Sequence, residues 1–382
     1  MQIKHTFYIF FLLTLFSCKE EVKITAPLAD ALASQSPKIK MVMDSLEHYE
    51  VQIKFTQIDR NNTKEVVFTD YKFQVNANNY FYPASTVKLP IAVLALEKLN
   101  SLENLDMNSV FYIEGDTLET TFAKEISKIF AISDNEAYNR LFEFLGQDEI
   151  NQKLTEKGIN NARISHRVSS PNADNITTKP LIIYINDSTI RVTDRIINKP
   201  IKPLNLQGIK KGTGFYEEDI LINKPFDFSL KNYYAIDAQH EVLKRIIFPE
   251  SFEPSQQFNI TETQRAFLLN TMHSLPRELG YTANEYYDSY VKFFMYGDSH
   301  ESIPENIKIY NKVGYAHGTL TDCAYIKDTL NNIEFLLTAT ILVNKNGIFN
   351  DDTYEFDSIG IPFLAQLGRE LYQQELGRKK IK

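Results

Sequence analysis

Several chemistries are ruled out by what the sequence lacks. It holds two cysteines, Cys18 and Cys323, in 382 residues. It has no HExxH, and His166, His240, His273, His300 and His317 lie far apart along the chain. No zinc pattern emerges from so sparse a set, and the reading calls for no metal and no cofactor. There is no basic stripe: 41 Lys and Arg against 49 Asp and Glu leave a net charge of −8. Binding to nucleic acid or to anionic headgroups through charge is therefore not expected. No internal repeat or low-complexity tract is visible. The apolar run Phe7 to Phe16 is too short to span a bilayer.

What is present is enough to build a core. Hydrophobic residues make up 43% of the chain, which argues against global disorder. The length suits one large domain or two ordinary ones. Lys4 and His5 followed by the Phe7–Phe16 run read as a signal peptide over residues 1–17. That run ends Leu15-Phe16-Ser17-Cys18, which resembles a bacterial lipobox with Cys18 as the lipidated mature N-terminus. With Cys18 carrying lipid, Cys323 has no partner, so the exported body holds together without a disulfide. Lys19-Glu20-Glu21 resembles a surface-export signal of some Gram-negative lipoproteins. Residues 18–37 read as a tether, and the folded body is expected over 38–382.

Within that body, Val51, Ile53 and Phe55 alternate, Arg60 to Thr63 turn, and Val66 to Phe68 return, which predicts a hairpin. Leu89, Val93, Leu96 and Leu99 carry helical periodicity from Ser85 onward. Residues 121–131 and 136–145 read as helices broken at Ser133-Asp134-Asn135, the second stopped by Gly146. Residues 181–254 mix β-rich pieces with Lys-Pro punctuation and read as an insertion or lid. A helix resumes over 261–272. Strands follow at 307–310, 323–326 and 333–343, and Phe363, Leu364, Leu367 and Leu371 mark a closing helix. Strands at both ends with helices between predict an α/β (α+β) fold, in which one antiparallel sheet is built from the two termini.

Three short motifs carry chemistry. Ser85-Thr86-Val87-Lys88 places a serine and a lysine at i and i+3 of a helix start, on one face. A hydroxyl attacks only when a neighbouring base takes its proton, and a partly buried lysine can be neutral enough to do so. The first helical turn also aims free N–H groups at a developing oxyanion. A helix N-cap followed by a solvated lysine would give the same letters. So does Ser289-Tyr290-Val291-Lys292, which lies in an aromatic stretch that reads as a strand. Ser133-Asp134-Asn135 would supply a proton shuttle in Ser133, a bracing Asp134, and Asn135 bonded to substrate and to Lys88. Ser133 with Glu136 also fits a capping box. Lys312-Val313-Gly314 follows an alternating strand. Its lysine would attract an anionic group, and its glycine would let substrate backbone lie flat.

The order and spacing of these motifs, 48 residues from Ser85 to Ser133 and 179 more to Lys312, resemble the class A β-lactamase and penicillin-recognising serine enzyme superfamily, whose signature is S-x-x-K, S-D-N and K-T-G. The resemblance runs from about residue 40 to the C-terminus and includes Gly318 to Ile326 as the strand after K-T-G. It implies Ser85 as nucleophile and Lys88 as its base. It implies Ser133 as proton shuttle and Asn135, Lys312 and Gly314 as substrate contacts. It also implies an oxyanion hole from the N–H groups of Ser85 and Tyr315.

Two departures stand out. Where the family carries the glutamate that activates the deacylating water, this chain has Ser169, within 163–175, whose one carboxylate is Asp174. The K-T-G threonine is Val313. His166 and Ser169 are candidate substitutes for the glutamate, although a structural role is the favoured reading of each. The expected activity is hydrolysis of β-lactams or a related amide or ester through an acyl-serine. A D,D-peptidase, an esterase, a non-catalytic envelope lipoprotein and a plain structural envelope protein remain as alternatives. The partners implied are a small-molecule or peptidoglycan-like substrate and a membrane held through Cys18, which places the protein in the cell envelope.

Overall fold

The computed structural model describes residues 26–61, 63 and 65–381. The signal peptide and the Cys18 lipobox lie outside the described residues. The expected sheet is present. The hairpin Gln52–Arg60 and Val66–Phe73 joins the meander Ile307–Ala316, Thr319–Asp328 and Ile333–Leu342. The first strand pairs antiparallel with the last, Gln52 opposite Thr340 and Phe55 opposite Leu337, so both ends of the body share one five-stranded sheet. Ile307–Ala316 lies at one edge and Val66–Phe73 at the other. The central strands are buried along nearly their whole length because both faces are covered. Phe363, Leu364, Leu367 and Leu371 pack the helix Ile361–Ile381 against one face. The helix Ile236–Ile247 covers the other.

The helical part holds Lys88–Leu99, Phe122–Ile132, Asn135–Leu145, Gln147–Glu156 and Glu262–His273. Lys88–Leu99 is apolar almost all round and buried almost all round, which makes it the hub of this core. Thr261 opens the last of these helices through a capping box with Gln264. No described helix is long and apolar enough to cross a membrane.

Three expectations are corrected. The tether does not extend to residue 37: Pro27–Leu32 is a helix whose Leu28, Ala31 and Leu32 are buried in the core beneath the closing helix. Proline at the first helical position fits this start, because the N–H it lacks has no partner there anyway. The insertion is narrower than 181–254. Leu181–Asn186 pairs with Val110–Ile113 in a four-stranded sheet, and Ile236–Ile247 belongs to the main core. Between them lie short ladders, including 210–211 with 226–227 and 214–217 with 220–222. Finally, 281–300 forms turns rather than a strand. Ser289 Oγ donates to Ser299 O at 2.5 Å, and Lys292 Nζ donates to Met272 O and Asn311 Oδ1. Both groups of the second S-x-x-K copy are consumed in holding that turn.

Candidate active site

Ser85 sits in a short 3-10 turn, Ala84–Val87, that runs straight into the helix starting at Lys88. In a 3-10 turn residues i and i+3 eclipse, so the Ser85 and Lys88 side chains leave on one line. Ala84 has φ +46°, the left-handed region that side chains disfavour. The turn thus presents Ser85, half-buried, to a cleft of about 570 Å³, a size that suits a small ligand.

Lys88 is fully buried. Its amine reaches Ser133 O at 2.5 Å, Asn135 Oδ1 at 2.6 Å and Ser133 Oγ at 3.4 Å. Burial brings its pKa down to about 7, with Asp134 opposing the shift. Lys312 donates to Ser133 Oγ at 2.7 Å and to Val313 O at 2.8 Å. Its pKa is pushed well below the usual lysine range, by burial first and then by Lys88. Ser133 therefore stands between two lysines. Among the described residues, Lys88 is bonded to Ser133 and Asn135 and not to Ser85 Oγ, which leaves that hydroxyl facing the cleft.

The capping-box reading of Ser133 is overturned. Asp134 is the N-cap of Asn135–Leu145, accepting from Ala137 N at 2.7 Å. Ser133 ends the preceding helix at φ +58°. That left-handed residue reverses the chain between two helices and turns the Ser133 hydroxyl into the cleft instead of back onto its own backbone.

Gly314 has a different task from the one expected. A Cβ there would stand 2.7 Å from Pro83 O, 2.7 Å from Ser85 N and 2.9 Å from Thr86 N. The missing side chain lets the edge strand lie against the turn that carries Ser85. The strand's last pair, Ala316 and Thr319, flanks a two-residue loop with φ +50° at His317 and +71° at Gly318, a type I′ hairpin. The pair flanking such a loop exchanges both hydrogen bonds, and outward and inward N–H groups alternate along the strand. The Tyr315 N–H therefore points off the sheet edge, and Tyr315 lines the same cleft as Ser85. Val313 is buried in the core beneath the closing helix and lines no part of the cleft.

The loop after Gln147–Glu156 closes one wall. Arg167 forks onto Glu143 at 2.6 and 2.8 Å and also donates to Asn175 O and Thr177 O. Both charged partners are buried; breaking such a pair typically costs about 3–5 kcal/mol. Ser169 falls in the cleft, its Oγ 3.1 Å from Asn135 Nδ2. His166 is occupied structurally. Its Nδ1–H donates to Arg167 O at 2.5 Å and its Nε2 accepts from Asn232 N at 3.1 Å. Burial holds its pKa down at about 4, so the ring is neutral and both nitrogens are used. Asp174 is exposed and lies outside the cleft lining. The one carboxylate in that lining is Asp134, already committed to its cap.

Ser85, Lys88, Ser133, Asn135, Lys312, Gly314 and Tyr315 thus converge as the motif order suggests. The sequence reading missed the Arg167–Glu143 brace, the tyrosine wall of Tyr82, Tyr286 and Tyr290, and Lys231 at the far end of the cleft. None of these follows a periodic pattern: Arg167, Lys231 and the three tyrosines lie on loops and turns, and Arg167 reaches Glu143 on the helix Asn135–Leu145. Among the described residues no group of three His, Cys, Asp or Glu is placed to hold a metal.

Residues 37–187 match the model of the beta-lactamase enzyme family. No curated protein matches the chain. Among solved structures the chain is similar to a beta-lactamase from Sphaerobacter thermophilus, at 12% identity and TM-score 0.49, over 91% of this chain and 96% of that one. It is similar to one from Burkholderia ambifaria at 13% identity and TM-score 0.48, over 91% and 97%. A third, from Xanthomonas campestris, has 15% identity and TM-score 0.49, over 90% and 97%.

Proposed function

We propose that this chain is a hydrolase of the penicillin-recognising serine enzyme superfamily that works through an acyl-enzyme on Ser85. The observation that carries the reading is the placement of Ser133 Oγ between Lys88 and Lys312 at the mouth of the turn that presents Ser85. Neutral Lys88 takes the Ser85 proton as Oγ attacks a carbonyl carbon. The carbonyl oxygen gains negative charge and is held by the N–H groups of Ser85 and Tyr315, brought together by Gly314. Collapse of the tetrahedral species breaks the bond to the leaving group; Ser133 Oγ gives its proton to that group and takes one back from the Lys88 ammonium, which returns Lys88 to its neutral form. Lys312 stabilises the alkoxide character of Ser133 while the proton passes.

Deacylation reverses these roles with water as the attacking group. The cleft offers that water no free carboxylate base, since Asp134 is capped onto Ala137 N. Lys88, returned to its neutral form, is the base at hand. This favours a β-lactam adduct that is long-lived and a natural substrate closer to those of a D,D-peptidase or esterase. Labelling with a fluorescent penicillin, followed by turnover of a chromogenic cephalosporin, tests the reading. A stable adduct with slow turnover is expected; no adduct at all would remove acylation from the account. We further propose that Cys18 carries a lipid that holds the protein at a membrane of the cell envelope.

A further inference from the structure

Lys231 lines the cleft together with Tyr82, His166 and His317, near enough to both imidazoles for its charge to act on them. Its side chain is half-buried, and among the described residues no acid or acceptor engages its ammonium. Its backbone, by contrast, is fixed on both sides. Arg163 Nη2 donates to Ser229 O at 2.9 Å and to Lys231 O at 2.5 Å. Asn232 N donates to His166 Nε2, and Asn232 Oδ1 accepts from Ser165 N at 2.8 Å. Tyr233 and Tyr234 pair with Arg163 and Ala162. Phe228 packs on Tyr82 and His317. The segment before the Ile236 helix is therefore a wall of the cleft, and the buried His166 is the post that holds it. What this wall presents is a cation without a counter-charge, beside two imidazoles that burial keeps neutral and that its own charge helps keep so.

The position of Lys231 along the cleft says what it faces. Lys312 to Ala316 is four residues of extended strand, about 14 Å, with Tyr315 between them and His317 in the turn that follows. On the proposed mechanism, on which this inference rests, Ser133 protonates the leaving group, so the leaving group lies toward Lys312. The acyl part then runs the other way, past Ala316 toward His317 and Lys231. His317 stands one strand residue and one turn residue beyond Tyr315, about 7 Å at most.

We propose that Lys231 selects substrates whose acyl side carries a carboxylate about that far from the scissile carbonyl, as in an acidic acyl or acidic peptide donor. The cation pairs with that carboxylate in a half-buried setting, where a charge-assisted hydrogen bond outweighs the one lost to water. Binding there adds a second anchor to the oxyanion hole and fixes the acyl chain along the strand edge.

Two thioesters that differ only at the acyl terminus test this: pentanoyl-glycyl and glutaryl-glycyl esters of one thiol, a methyl against a carboxylate. Ser85 Oγ forms the new ester as the C–S bond breaks, and the released thiol is read with a chromogenic disulfide. The wild-type protein should acylate with the glutaryl compound about tenfold faster, equivalent to ~1.4 kcal/mol. Lys231→Met should bring the ratio to about one by slowing the glutaryl compound far more than the pentanoyl one. Lys231→Arg should keep the preference and Lys231→Glu should invert it. Because the side chain has no partner among the described residues, all three variants should melt with the wild type. A wild-type ratio near one, or a preference that survives Lys231→Met, overturns the assignment of Lys231 and leaves the hydrolase reading intact. Release of thiol from neither compound, with no adduct on Ser85, overturns both.

Discussion

The close approach of the edge strand to the nucleophile turn can be broken by one methyl group. In Gly314→Ala the new Cβ would meet Pro83 O and Ser85 N at 2.7 Å and Thr86 N at 2.9 Å. All three are backbone atoms, so no side chain can swing aside. Ordinary contact begins near 3.4 Å, which requires the strand and the turn to separate by about 0.7 Å. The turn has little slack, since Ala84 is already held at φ +46°. The strand edge must move, and it carries the Tyr315 N–H out of reach of the oxygen that Ser85 N still binds. Loss of one such donor costs about 2.7–4 kcal/mol in the transition state, or roughly 10²–10³-fold in rate.

The assay is the second-order rate of acylation by a fluorescent penicillin, followed on a gel. Overpacking of this kind also costs roughly 1–3 kcal/mol of stability, so the variant's melting curve is recorded and the rate measured well below its midpoint. The expected result is a folded protein that acylates at least a hundredfold more slowly. A folded Gly314→Ala that acylates within threefold of wild type would show that the apposition of Gly314 and Ser85 builds no oxyanion hole.

Acylation should rise about tenfold between pH 6 and pH 8, because Lys88 acts as the neutral amine and its pKa is brought down to about 7; a rate flat across that range would remove Lys88 as the base. The same shift has a definite sign for stability. The unfolded lysine stays protonated up to about its usual value of 10.5, so the unfolded state binds the extra proton between pH 7 and 10.5. The contribution of this group to folding therefore grows as pH rises through that window. A cephalosporin should give a burst equal to the enzyme present and then a slow phase. Ser169→Glu should speed that phase, by up to about 10²–10⁴-fold for a well-placed base, less whatever the left-handed φ of +47° at 169 costs the longer side chain; fast linear turnover by the unaltered protein would contradict the missing-base argument. Cys18→Ser should move the protein from the membrane fraction to the soluble one, and a variant that stays with the membrane would rule out lipid at Cys18 as the anchor.

The sheet was legible because its strands carry apolar runs long enough to be seen at both ends of the chain, and pairing the ends is the simplest way to bury them. The grouping of the candidate site is legible where its spacing is local: Ser85 with Lys88 in one turn, Ser133 with Asn135 in another. Local letters could not decide the state of Ser133, whose capping-box pattern gives way to an αL residue only once the two helices pack. The boundary of the insertion was missed because the partner of Leu181–Asn186 is Val110–Ile113, some seventy residues earlier, and no periodicity announces so distant a pairing. Pro27–Leu32 looks like tether in sequence because a six-residue helix shows less than two turns of pattern. Lys231 left no signal at all. Its place depends on contacts of Arg163 and His166 with a segment more than sixty residues away.

The central claim is a covalent bond between substrate and one named oxygen. Wild-type protein, Ser85→Ala and Ser289→Ala are each incubated with a penicillin, digested and mapped by mass spectrometry. The account predicts one adduct, on Ser85, in the wild type and in Ser289→Ala, and none in Ser85→Ala. An adduct that persists in Ser85→Ala, or that maps to any other residue, would contradict it.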